Sequence, residues 1–315
     1  MSVTLADVQA AAERTRPFVK RTPVLTSATF DKLSGRRLFF KCEQFQRTGS
    51  FKYRGATNAV QKLDATTAAR GVVTHSSGNH AQALALAAAV RGIPATIVMP
   101  RTAPAVKKQA VIGYGGRVIE CESTVSERHR VANQVVAETG GVMIPPYDHP
   151  DVIAGQGTGA LELLAEVPDL DAVVTPVGGG GMLSGYCVAV KGTQPSVRVF
   201  GAEPLNADDA ARSLATGERQ PPVPPNSVAD GLLTNLGDLN WAIIRTHVER
   251  VFTVTEAEII AAMRLVWERM KVVTEPSGAV PVAVVLGEAF RALEGCERVG
   301  VVMSGGNVSL DKLYW

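Results

Sequence analysis

One amine stands out among the residues that could do chemistry. It lies in Gln46-Arg47-Thr48-Gly49-Ser50-Phe51-Lys52-Tyr53-Arg54-Gly55, where Lys52 is predicted one turn into a helix, behind Ser50 as N-cap and beside an aromatic ring. An ammonium held partly out of water there has a lowered pKa, and the free amine can form a Schiff base with a carbonyl compound. Taken alone, the decapeptide reads more readily as a solvated helix face, because Arg54 follows two residues later.

Three further stretches change that balance. Asp171-Ala-Val-Val-Thr-Pro-Val177 reads as a strand that runs into Gly178-Gly179-Gly180-Gly181 and then a helix starting near Met182. Glycines let backbone approach an anion without Cβ clashes, and the loop N–H groups then point at it together with the positive helix end. A plain strand-to-helix turn needs one or two glycines rather than four in a row. A dinucleotide fingerprint fails on register, since G-x-G-x-x-G begun at Gly178 or Gly179 puts Leu183 or Ser184 at the third glycine position. Ser76-Ser77-Gly78-Asn79-His80, between a strand and a helix, can clamp a carboxylate or simply cap a helix. Val301-Val302-Met303-Ser304-Gly305-Gly306-Asn307 ends a buried strand in a hydroxyl able to face a heteroaromatic nitrogen. An activated lysine, a phosphate cradle, a carboxylate clamp and a strand-end hydroxyl together suit pyridoxal phosphate acting on an amino acid.

Composition narrows the partners. The 315 residues are 46% hydrophobic and 20% charged with net charge +2 and no run of five like charges, which disfavours nucleic acid and anionic membrane surfaces as partners. Cys42, Cys121, Cys187 and Cys296 lie far apart with no C-x-x-C pair, against a zinc site or disulfide framework and in keeping with a reducing cytoplasm. Residues 1–16 lack the apolar stretch of a secretory signal, and the longest apolar runs, such as 81–90, fall short of the ~18 to 20 residues that span a bilayer. A cytoplasmic enzyme of small molecules is the expectation.

The elements that must position these groups alternate. After an amphipathic helix over 5–18 and a strand over 38–42, the Lys52 helix is predicted to run through 63. Strands over 72–74, 95–99, 117–121 and 142–144 then interleave with helices over 80–91, 105–114 and 125–139. A second series follows: helix 151–166, strand 172–177, helix 182–191, strand 198–202, strand 250–254, helix 256–272 and strand 299–303. Segment 217–226, with Pro221-Pro222 and Pro224-Pro225, is predicted as surface loop. The pattern gives an α/β protein of two lobes, each a mostly parallel open sheet with helices on both faces. Residues 1–61 and 150–315 are assigned to a large cofactor-binding domain and 71–148 to a small mobile one, with 62–70 connecting them.

On these motifs, together with Gly155-Gln-Gly-Thr158 and Ala202-Glu-Pro-Leu-Asn-Ala-Asp-Asp209, the chain resembles the fold-type II pyridoxal-phosphate enzymes, tryptophan synthase β-like. The branch is that of serine/threonine dehydratases, serine racemase and hydroxyaspartate dehydratases, and the resemblance runs from Leu5 to Asn307. It implies that Lys52 carries the cofactor, Phe51 packs on the pyridine ring, Asn79 bonds the ring hydroxyl, Gly178 to Met182 hold the phosphate and Ser304 meets the ring nitrogen. It places Ser76, Ser77, Gly78, Asn79 and His80 on the substrate carboxylate, with Ser77 on the opposite face of Cα from Lys52 as the racemase proton donor. Arg128 aligns with an arginine near the substrate, able to pair with a second carboxylate or to form a surface ion pair. Thr234 completes the pocket where racemases tend to have Ser. Glu203, the Ala207 carbonyl and Asp209 match the family's magnesium or calcium site. The implied activity is β-elimination from L-serine or L-threonine, with serine racemisation or 3-hydroxyaspartate dehydration as alternatives and a non-catalytic ligand-binding relative as a distant one, in a homodimer. A chain stopping at Trp315 leaves no room for a regulatory domain, so feedback by isoleucine is not expected.

Overall fold

The structure, a computed structural model, describes residues 3–221, 224–311 and 313–315. Among the described residues ten strands make two sheets: β1 (Val24–Leu25), β2 (Arg37–Cys42), β3 (Val72–His75), β4 (Ala95–Pro100), β5 (Arg117–Cys121), β6 (Val142–Met143), β7 (Ala172–Pro176), β8 (Arg198–Pro204), β9 (Arg250–Val254) and β10 (Arg298–Met303). The larger sheet has the order β1-β2-β10-β7-β8-β9 and the smaller β5-β4-β3-β6. Every pairing is parallel except β1 with β2.

Central strands buried on both faces explain the unbroken apolar runs in the sequence. Along β2 and β7, alternate side chains enter different layers: Phe39 and Val173 meet helices Pro150–Glu166 and Gly181–Thr193, while Leu38, Phe40, Ala172 and Val174 meet Glu256–Met270 and Pro276–Leu286. In the small lobe, Val72 and Ile97 share a core with helix Asn79–Arg91, and Val73 and Val98 share one with helix Val125–Thr139.

Helix Lys52–Lys62 joins the two lobes. Tyr53, Ala56, Ala59 and Val60 share the small lobe's core with Ala81 and Leu84. Its other side crosses helix Pro150–Glu166 at Gly55 and Gly155, where a Cβ on Gly155 would lie 2.6 Å from the Gly55 Cα. No larger residue fits that crossing. Beside it, the buried Arg54 guanidinium donates to Glu43 at 2.8 and 2.9 Å and to Glu162 at 2.7 Å, and Lys41 reaches Glu162 at 2.7 Å.

Two sequence expectations are corrected. Ser50 does not cap the Lys52 helix: it is extended and bridges Gly305, and Phe51 holds the N-cap position without a side-chain bond. The backbone there is taken by strand-end pairing, with the Phe51 N–H donating to the Ser304 carbonyl at 3.0 Å. Secondly, helices Ala28–Ser34, Asp209–Thr216, Asp238–His247 and Pro276–Leu286 lie where none was expected. The last is apolar all round and holds Pro281, so it offers neither an amphipathic period nor good helix propensity. Of the expected proline-rich loop, Pro222 and Val223 fall outside the described residues, and the described remainder carries no helix or strand. Among the described residues no helix is long and apolar enough to cross a membrane.

Removing Arg54 strands Glu43, which has no exposed surface, as an uncompensated buried charge. Arg54→Ala is expected to lose about 3 to 5 kcal/mol of stability in urea unfolding. A loss under 1 kcal/mol would contradict this reading of the network.

Candidate active site

Lys52 is half-buried at the seam between the lobes, with Nζ donating to the Pro146 carbonyl at 2.7 Å and lying 5.0 Å from the Phe51 ring centre. Pro146 sits in the chain crossing from β6 to helix Pro150–Glu166. Burial lowers the pKa of the amine to about 8, partly opposed by the Glu275 carboxylate. The amine is therefore substantially neutral near pH 8, as a carbonyl nucleophile requires.

The tetraglycine loop leaves β7 and turns into helix Gly181–Thr193, whose N-cap Gly180 has φ +90° and offers no side-chain cap. Its first-turn N–H groups therefore have no cap of their own, which is what an anion site needs. Close approach explains the other glycines: a Cβ on Gly179 would lie within 2.5 Å of the Tyr147 ring, and one on Gly178 would lie 3.0 Å from Thr234 Oγ1. Met182 follows, buried. Thr234 itself is exposed and stands against the glycine loop.

A second uncapped helix start faces the cleft. Helix Asn79–Arg91 has Gly78 at its N-cap without a side-chain bond, and Ser76, Ser77, Gly78 and Asn79 are half-buried. Asn79 ties this loop to the large lobe: its Nδ2 donates to Glu275 Oε1 at 2.9 Å, and its Oδ1 accepts from Asn307 Nδ2 at 2.8 Å. His80 turns away into the protein, with Nε2–H donating to the Ile144 carbonyl at 2.9 Å and Nδ1 left without a partner among the described residues. Burial and the nearby Lys52 push its pKa down to about 3, so the ring is neutral. Ser304, 2% exposed, is brought alongside Phe51 by the backbone bond already described.

Arg128 lies on helix Val125–Thr139, and the ion pair on that helix is Arg130 with Glu127 rather than one through Arg128. Its Nε is buried with no partner among the described residues. Burial, His129 and Arg128 together lower the pKa of His75, the residue before the clamp, to about 4. The Arg128 charge thus acts on His75 and, from the same helix, on Cys121. Asp209 lines one small cavity with Thr234 and Ala207; it accepts Leu236 N–H at 2.8 Å, and Glu203 accepts the Ala210 and Ala211 N–H groups at 3.1 and 2.8 Å. Burial, and for Glu203 the nearby Asp209, raise both carboxyls above their ordinary range. Among the described residues no group of three or more His, Cys, Asp or Glu is arranged to hold a metal ion.

Sequence reading missed Glu275. It is buried, accepts Asn307 N–H at 2.9 Å as well as Asn79, and its pKa is raised to about 8 by burial and by Asp230. Nothing local marks it, since its partners come from distant segments. Tyr147 and Asn240, which touch the glycine loop, were missed for the same reason.

The family model described as pyridoxal-phosphate dependent enzyme matches residues 15–305. The chain is 52% identical over 314 residues to the β-hydroxyaspartate dehydratase of Paracoccus denitrificans, covering 99% of this chain and 98% of that one. It is 50% identical over 313 residues to the serine racemase of Arabidopsis thaliana.

 The aligned stretch takes in 98% of this chain and 95% of that racemase. The structure superposes on the serine racemase of Dictyostelium discoideum with TM-score 0.95 at 48% identity, covering 98% of this chain and all of that one.

The lowered pKa has a direct readout. The reaction of Lys52 with an amine-selective reagent, followed by peptide mass spectrometry across pH, is expected to have a midpoint near 8. Glu275→Gln should move that midpoint down, because the carboxylate favours the ammonium. A midpoint near the ordinary lysine value of 10.5 would contradict the desolvated geometry.

Proposed function

Since the chain belongs to the fold-type II pyridoxal-phosphate-dependent enzymes, in the serine racemase and hydroxyaspartate dehydratase branch, we propose that it dehydrates a 3-hydroxyaspartate to oxaloacetate and ammonia. The observation that carries this reading over L-serine or L-threonine dehydration is Arg128, whose buried Nε has no partner among the described residues and whose charge acts on His75, the residue before the carboxylate clamp. A four-carbon substrate has a second carboxylate for it, and a bidentate pair there is stronger than a neutral hydrogen bond. The most identical relative named above is a dehydratase of that compound.

The residues present fit pyridoxal phosphate. Gly178 to Met182 would hold the phosphate on uncapped N–H groups, Phe51 the ring face, Asn79 the ring hydroxyl, Ser304 the ring nitrogen and Lys52 the aldehyde carbon. Once bound, the cofactor supplies an electron sink for the pair left at Cα. The N–H groups from Ser77 to His80 bind the α-carboxylate at the second helix start together with the Ser76 and Ser77 hydroxyls, the Ser76 N–H itself donating to the Val98 carbonyl, and Arg128 orients the β-carboxylate. Lys52 Nζ then takes the Cα proton, and that proton goes to the departing β-hydroxyl, which leaves as water. The released enamino acid tautomerises to an imine that one water hydrolyses to oxaloacetate and ammonia. Binding at the clamp draws the 71–148 lobe onto the large one and excludes solvent.

Serine racemisation is the second reading, and Ser77 favours it, since a hydroxyl on the clamp can return a proton to the face of Cα opposite Lys52. Glu203, the Ala207 carbonyl and Asp209 form the proposed cation site, because a divalent ion would relieve two carboxylates buried side by side.

Arg128→Ala is expected to lower kcat/KM for 3-hydroxyaspartate roughly 10- to 100-fold while changing L-serine turnover less than about threefold. Equal losses would contradict the second-carboxylate role. Ser77→Ala should abolish D-serine formation yet keep elimination. Chelation with EDTA should lower the melting temperature, and an unchanged melting curve would remove the cation from the account.

A further inference from the structure

Two helices start beside the tetraglycine loop, Gly181–Thr193 and Asp238–His247, and only one of them keeps its N-terminus free. The second is occupied by Asp148, from the chain crossing between β6 and helix Pro150–Glu166. Its carboxylate accepts N–H groups from Asp238 at 3.1 Å, Leu239 at 3.0 Å and Asn240 at 3.3 Å. Gly237 leaves the space for this contact, since a Cβ there would lie 2.3 Å from Asp148 Oδ1. An internal carboxylate thus satisfies the positive end of one helix, and a phosphate has the other to itself.

Asp148 also turns the side chain of Asn240, which has no exposed surface. Asn240 Nδ2 donates to Asp148 Oδ1 at 3.1 Å and to the Gly179 carbonyl at 2.9 Å, with the Tyr147 carbonyl at 3.4 Å. Three oxygens around one amide atom fix it as the nitrogen. The amide oxygen is left buried with no partner among the described residues, an unfavourable arrangement that the donated bonds must offset. The Gly179 carbonyl accepts a second bond from Gly237 N–H at 3.1 Å. In a trans peptide the carbonyl and the following N–H point in opposite directions, so holding the Gly179 oxygen turns the Gly180 N–H the other way.

We propose that Asp148 and Asn240 are positioning residues of the phosphate cradle, Asp148 aligning the Asn240 amide and Asn240 holding the Gly179–Gly180 peptide with its N–H toward the anion. The proposal rests on the cradle reading above. It adds a coupling: the chain that accepts Lys52 Nζ through Pro146 also sets the cradle through Asp148, so one crossing segment fixes the amine and the phosphate donors together.

The test titrates apoprotein with pyridoxal phosphate and, separately, with pyridoxal, which lacks the phosphate. Asn240→Ala is expected to weaken pyridoxal phosphate binding at least about tenfold while leaving pyridoxal affinity within about twofold. Asp148→Asn, which keeps an oxygen acceptor for the helix N–H groups, should give a smaller loss in the same ratio and carries the test where Asn240→Ala folds poorly. Equal weakening of both ligands would mark a merely structural role and overturn the proposal, as would no change in either. Wild-type protein that binds both ligands equally would instead overturn the cradle reading on which the proposal stands.

Discussion

The structure depends on where it leaves one ammonium group. Lys52 and Arg54 are two residues apart on one helix, so they project about 200° apart around its axis. Arg54 enters the large lobe, where Glu43 and Glu162 surround it and raise its pKa. Lys52 enters the cleft, where a backbone carbonyl accepts its hydrogen bond and desolvation lowers its pKa to about 8. Anchoring one cation by two carboxylates holds the helix that keeps the other poorly compensated, and that contrast separates a structural charge from a reactive amine.

The cleft extends the same principle to anions. Helix starts Gly181–Thr193 and Asn79–Arg91 lack side-chain caps, whereas Asp148 satisfies the start of helix Asp238–His247 and Thr124 that of helix Val125–Thr139. Both uncapped starts offer N–H groups to the proposed phosphate and carboxylate. Asn79, bound to Glu275 and Asn307, carries the small lobe's clamp onto the large lobe.

Much of this was legible because its signals are local. Alternating β-branched runs and helical periods specify both sheets, and four consecutive glycines specify a close backbone approach whatever surrounds them. What escaped depends on contacts between distant segments. Glu275 reads as an ordinary acid before a proline until Asn79, 196 residues away, is placed against it. Asp148 and Asn240 look like loop and helix polars, and Pro276–Leu286 has no period because every face of it is covered. The misassigned Ser50 cap has the same cause, since the partner of its backbone is Gly305 at the far end of the chain.

The most direct test of the account is to add pyridoxal phosphate to the protein, reduce with borohydride and map the labelled peptide by mass spectrometry. The account requires the phosphopyridoxyl group on Lys52, and its loss in Lys52→Ala. A label spread over exposed lysines, or one retained in that variant, would contradict it.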